Sequence, residues 1–211
     1  MSPRSMSPTA VLVAVLVIVP ASAYAETKAA PGVSAQALKA KTDYCKTCHG
    51  VDAQGFRGAA PMPRLAGQQP EYIKNQLQAF IERKRTNPVM NNVAHVLSPE
   101  MVTALSEYFN SLNPKPLGGG NPALVPEGKK IFEEGIPSAN VPPCASCHGD
   151  DAKGNGEFPR LAGQLPDYIF RKLTGWDSER HSESSTIMQP IAHELTEAQI
   201  KAVAAFVSQL N

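Results

Sequence analysis

A chain of 211 residues, 42% of them apolar, carries enough material for one sizeable core or two small ones. Aromatic residues reach only 6%, while 19 Pro and 15 Gly describe a loop-rich protein with modest side-chain cores and room for other core material. The formal net charge of +1 gives no electrostatic reason to bind nucleic acid or an anionic membrane.

In chain order, the first segment reads as a targeting signal. Arg4 supplies a positive start, residues 11–19 are an unbroken apolar run, and Ala23-Tyr24-Ala25 fits a small-x-small cleavage site. Cleavage after Ala25 and export to an oxidising compartment are expected. The run is closed by Pro20 and falls far short of the roughly 20 residues a bilayer needs. Ser34 then precedes a helical stretch leading into Cys45-Lys46-Thr47-Cys48-His49. Beyond Pro63-Arg64-Leu65-Ala66-Gly67-Gln68, the residues Tyr72-Ile73, Leu77 and Phe80-Ile81 recur at helical spacing and mark a middle helix. The pattern breaks at Asn87-Pro88, which puts Met90 on a loop. It resumes at Ser98-Pro99, where Pro99 suits a first helical position and Leu105, Tyr108 and Leu112 form the buried stripe.

Residues 114–126 read as a linker, because the prolines and glycines between Asn113 and Pro122 follow neither helical nor strand periodicity. A second set of elements follows. Residues 127–134 are helical and lead less directly to Cys144-Ala145-Ser146-Cys147-His148. Tyr168-Ile169, Leu173 and Trp176 mark the middle helix, with Trp176 read as core, and the helical run breaks over 182–186 ahead of Met188. The last helix starts at Thr196, where Gln199 completes a capping box, and buries Val203, Phe206 and Leu210.

The second set repeats the first. Pro63 to Gln68 recurs as Pro159 to Gln164 at an offset of 96; Met90, Ala94, His95 and Leu97 recur as Met188, Ala192, His193 and Leu195 at 98. The chain therefore divides into residues 26–113, a linker over 114–126, and residues 127–211. Each unit is small enough for a bound cofactor to contribute much of its core. Neither contains an alternating strand pattern, so the class is all-α.

All four cysteines lie in the two Cys-x-x-Cys-His patterns, leaving none for a structural bridge. Two thiols spaced to meet two vinyl groups, followed at once by an imidazole, are what a thioether-linked haem requires. A thioredoxin-like pair would follow a strand in a βαβ unit, and a four-Cys zinc site would not separate its knuckles by some ninety helical residues. His49 and His148 become the proximal iron ligands. For the opposite face, Met90 and Met188 are the repeat-equivalent methionines among Met62, Met90, Met101 and Met188. His95 and His193 are also repeat-equivalent and remain the rival pair, with capping the last helix or bonding a haem edge as their other roles. His181 has no counterpart and reads as a surface residue.

Two CxxCH units, two PRLAGQ-x-x-x-Tyr-Ile stretches and Met-x-x-x-Ala-His-x-Leu before a terminal helix together resemble the dihaem cytochrome c4 family over the whole mature sequence. The resemblance implies two tandem class I cytochrome c domains, each wrapped around one covalently bound haem c. The attachments would be Cys45, Cys48, Cys144 and Cys147, with His49 and Met90 on one iron and His148 and Met188 on the other. It implies a periplasmic carrier of single electrons rather than an enzyme. The redox partners would be a quinol-oxidising complex or dehydrogenase as donor and a terminal oxidase as acceptor, with peripheral association with membrane complexes as a possibility. The alternative role is an electron-accepting subunit of a dehydrogenase, such as a flavocytochrome sulfide dehydrogenase. A dihaem peroxidase is disfavoured, since it requires one iron to lack its Met.

Arg64 and Arg160 fall where haem propionates lie in that fold, with an exposed Arg as the competing reading. Tyr72 and Tyr168 are explained by helix packing as well as by a propionate or interdomain bond. Charge is uneven: residues 26–117 hold 11 Lys/Arg against 7 Asp/Glu, and residues 118–211 hold 8 against 12. This dipole predicts docking of different partners on the two halves. Arg83-Lys84-Arg85 contributes to it and reads as a solvated helix end.

Overall fold

The computed structural model describes residues 32–176 and 186–211. The signal segment, His181 and most of the break before Met188 lie outside the described residues. Nine α-helices are present among those described: α1 Ala35–His49, α2 Pro70–Ile81, α3 Pro88–His95, α4 Pro99–Ser111, α5 Val125–Glu134, α6 Ala145–His148, α7 Pro166–Thr174, α8 Met188–Glu194 and α9 Glu197–Val207. The only β-pairing among them is three isolated bridges, Phe56 with Met62, Ile136 with Val141 and Asn155 with Phe158. The all-α expectation holds, and no described helix is long and apolar enough to cross a membrane.

Local chemistry sets the helix starts. The Ser34 hydroxyl accepts from Ala37 N, Ser98 from Met101 N, and Thr196 with Gln199 closes a reciprocal capping box. Proline occupies the first turn of α2, α3, α4 and α7, where its missing N–H has no partner to lose. Met90 is not on a loop. Asn87 caps α3 by accepting from Val89 N and Met90 N, and Met90 sits in that helix's first turn, while Met188 is the first residue of α8.

In the first lobe α4 packs on α1 and α2, and α3 packs on α2. Val33, Leu38, Ala53, Ala66, Ile73, Ala104, Leu105 and Phe109 form the core. In the second lobe α9 packs on α5 and α7, burying Phe132 against Phe206 beside Ile131, Ile169, Val203 and Val207. Gly128 lets α5 lie tight against α9, where a Cβ would stand 1.9 Å from the Ala202 carbonyl oxygen. The second lobe breaks the helix that is continuous in α1. α5 ends at Gly135 (φ 71°), and a loop pinned by the Ile136–Val141 bridge carries the chain to α6.

The segment between the lobes is held rather than free. The Arg57 guanidinium donates to the Leu117 and Gly118 carbonyls, Arg64 Nη2 donates to Pro114 O at 2.9 Å, and Gly120 lies against Ala205. Helical structure returns in a 3-10 turn at Pro122–Leu124, and α5 begins two residues before Glu127.

Candidate functional site

Each Cys-x-x-Cys-His pattern closes a helix, and the chain after it turns back in the same way in both lobes. Gly55 N donates to His49 O and Gly154 N to His148 O, both at 2.8 Å, while Ala53 and Ala152 accept from the PRLAGQ backbone. That turn delivers a prolyl carbonyl to each imidazole. His49 Nδ1 donates to Pro63 O at 2.9 Å, and His148 Nδ1 donates to Pro159 O at 2.8 Å. Both rings are buried, which lowers their pKa against the raising effect of the carbonyl, so the imidazoles are neutral with Nε2 as their free lone pair. A neutral imidazole fixed by its other nitrogen is a metal ligand with its tautomer set.

The cysteines are unpaired; Cys48 and Cys147 are exposed, while Cys45 and Cys144 are half-buried. Burial pushes the Cys45 thiol up and that of Cys144 up to about 11. Such thiols are weak nucleophiles, the reverse of a catalytic dithiol, which depends on a depressed pKa.

Met90 and Met188 are half-buried on α3 and α8. α3 packs on α2 and α8 on α7, so each lobe's imidazole and methionine stand on separate elements. His95 and His193 are exposed. The last helices are capped by Ser98 and Thr196, not by these histidines. His193 borders a cleft with Leu173, Trp176, Leu195 and Ile200, in which Trp176 is only half-buried. Met101 packs on the core of the first lobe, and Met62 lies in the bridge with Phe56.

Arg64 and Arg160 are not exposed: both are buried, at 3% and 6% exposure. Arg64 Nε donates to Ala66 O and Arg160 Nε to Ala162 O, each at 2.9 Å, yet Arg64 Nη1 and Arg160 Nη2 have no partner. Burial, reinforced by the charge of Arg160, pushes Arg64 down to about 10; burial also lowers Arg160. Two buried guanidiniums, each with an N–H group left without an acceptor, suit anions as partners. Haem propionates are such anions, so thiols, imidazoles, thioethers and guanidiniums in both lobes fit a thioether-bound haem.

The PRLAGQ stretches meet across the lobe boundary. Gly67 and Gly163 have φ of 73° and 72°, and a Cβ on either would stand 3.1–3.2 Å from the other lobe's Arg Nη1. Gln68 and Gln164, buried and given no role by the sequence reading, cross to the opposite lobe. Gln164 Oε1 accepts from Arg64 N (2.8 Å) while its Nε2 donates to Arg64 O (3.1 Å). Gln68 does the same with Arg160, at 2.7 and 3.0 Å. Their repetition at matched positions was the available signal. Arg85 is not a solvated helix end: it stacks over Phe80 and donates to Gln76 Oε1 and to the Tyr168 hydroxyl of the other lobe. Tyr72 lies in the same cluster, its hydroxyl pushed up to about 12 chiefly by burial.

The cytochrome c family profile matches twice, over residues 35–113 and 125–211. Cytochrome c-552 of Acidithiobacillus ferridurans is 39% identical over 79% of this chain and 73% of its own. The thiosulfate dehydrogenase electron acceptor of Thiomonas intermedia is 37% identical over 78% of this chain and 77% of its own. A solved cytochrome c4 from Acidithiobacillus ferrooxidans superposes with a TM-score of 0.67 at 37% identity, covering 79% of this chain and 98% of that one.

Proposed function

The chain belongs to the dihaem cytochrome c4 family of tandem cytochromes c, and on that premise we propose that it is an exported carrier passing single electrons between respiratory redox proteins. It holds two covalently bound haem c groups, attached through Cys45 and Cys48 in one lobe and Cys144 and Cys147 in the other. In this reading His49 with Met90 would hold the iron of the first lobe, and His148 with Met188 that of the second. Haem iron cycling between ferric and ferrous states supplies the one-electron chemistry. The residues' task is to hold that iron closed and dry. The imidazoles are locked by Pro63 O and Pro159 O, Met90 and Met188 would supply each iron's second ligand, and Arg64 and Arg160 would neutralise the propionates. With two ligands from the chain on each iron, no position would be left for a substrate, and the bound group would supply electron transfer without bond chemistry. The first 25 residues act as the export signal to the periplasm.

The observation that carries the reading is the duplicated buried imidazole, fixed through Nδ1, directly behind two thiols on one helix end. Met90→Ala and Met188→Ala test the ligation. Each is expected to remove about half of the Met-to-iron charge-transfer absorbance of the oxidised holoprotein, and an unchanged band in both would overturn it. Similarity to a thiosulfate dehydrogenase electron acceptor favours a second reading, in which the donor is such a dehydrogenase and the partnership is permanent. Co-purification of a dehydrogenase with the chain separates the two readings.

A further inference from the structure

The peptide groups Pro63–Arg64 and Pro159–Arg160 are each engaged at both ends. The carbonyl oxygen of the first accepts from His49 Nδ1 (2.9 Å), and the amide N–H of that same peptide donates to Gln164 Oε1 of the other lobe (2.8 Å). In the second lobe the carbonyl takes His148 Nδ1 (2.8 Å), and the N–H donates to Gln68 Oε1 (2.7 Å). One peptide group is all that separates each proximal imidazole from the opposite lobe's glutamine. Each glutamine is fixed in place. It is buried, returns its Nε2–H to the same arginine's carbonyl, and accepts from the next residue's own N–H, Gln69 at 2.9 Å and Leu165 at 3.0 Å.

An acceptor on a peptide N–H polarises that peptide and makes its carbonyl oxygen a better acceptor in turn. A stronger Nδ1–H···O bond makes the imidazole a stronger donor to its metal, which favours the higher oxidation state and lowers the potential. We propose that Gln68 and Gln164 are positioning residues acting in trans: each strengthens the hydrogen bond on the other lobe's proximal histidine, so that each lobe sets part of the reduction potential of the haem held by its neighbour. The inference rests on the reading of His49 and His148 as iron ligands.

The test uses the full-length holoprotein carrying Gln164→Met or Gln68→Met, changes that keep side-chain bulk and remove the amide. Lobe-resolved redox titration by NMR, following the shifted methyl signals of each haem, is expected to show an upward shift of the first lobe's haem in Gln164→Met and of the second lobe's haem in Gln68→Met. The Nδ1–H resonance of His49 should move upfield in Gln164→Met, and that of His148 in Gln68→Met. A shift confined to the substituted lobe, an equal shift of both haems, or no shift would overturn the inference. The hyperfine-shifted imidazole signals of the unsubstituted holoprotein report ligation independently. If His49 and His148 do not ligate iron, the functional reading itself fails; if they do and the crossed shift is missing, only the trans effect fails.

Discussion

Replacing Gly163 by alanine tests whether the lobes are seated on each other as closely as the PRLAGQ geometry requires. Gly163 has φ 72°, and a Cβ there would meet Arg64 Nη1 at 3.2 Å, Leu210 O at 3.3 Å and Pro116 Cγ at 3.3 Å. Gly156, in the same lobe, has φ 58° and nothing within 4 Å of a built Cβ. Both substitutions carry the left-handed strain of an L residue, about 1 kcal/mol. Only Gly163→Ala also crowds buried neighbours, which adds about 1–2 kcal/mol because the other lobe's guanidinium and the Leu210 carbonyl must give way by tenths of an ångström. At roughly 4–8 °C per kcal/mol for a lobe of this size, calorimetry of the holoprotein should place the Gly156→Ala midpoint about 5 °C below the parent and that of Gly163→Ala about 10–15 °C below it. Equal losses in the two variants would show that the interface does not close on Gly163.

Gly128→Ala should destabilise the second lobe by about 2 kcal/mol, because a Cβ 1.9 Å from Ala202 O forces α5 off α9 and outweighs the better helix propensity of alanine; unchanged melting would refute that crossing. Tyr72, raised from its ordinary 10.0 to about 12, stays neutral in the folded protein while the unfolded chain ionises. The stability linked to this proton is complete below pH 10 and is lost as the pH rises toward 12. Ultraviolet titration should show one phenol lagging, and Tyr72→Phe should shallow the alkaline loss of stability; the same profile in both proteins would count against it. The 11-to-7 excess of basic residues in 26–117, against 8-to-12 in 118–211, predicts that electron-transfer rates with charged partners fall as salt rises. Rates indifferent to ionic strength would remove steering from the account.

What could be read in the sequence was local or repeated. Ser34, Ser98 and Thr196 mark helix starts because a cap is satisfied within three residues, and the two CxxCH patterns carry their chemistry in their own spacing. The helix bearing Met90 was missed since Asn87-Pro88 is both a break in one helix and the cap and first turn of the next. Burial of Arg64 and Arg160 and the reach of Arg85 to Tyr168 depend on partners far along the chain. No periodicity reports such distances. The glutamines closing each PRLAGQ stretch were visible as a repeat, but their function lies in residues 92 and 100 positions away.

Duplication explains why that crossing takes the form it does. A motif whose proline carbonyl must serve the histidine of its own lobe leaves its arginine N–H facing outward, and an identical motif in the second lobe offers an identical donor. The two copies satisfy each other by exchanging the same glutamine bonds, the logic of an isologous interface within one chain. The symmetry stops one residue later. Gln69 reaches Lys153 O at 2.9 Å, whereas its counterpart Leu165 is buried with its Cδ1 against Gly55, and Arg85 donates to Tyr168 across the boundary. The proximal hydrogen bonds of the two lobes agree to within 0.1 Å (2.9 and 2.8 Å). The asymmetries that surround this shared frame are the Gln69 and Leu165 contacts, the Arg85 bridge and the opposite charge of the two halves, and each gives the haems a source of unequal potential.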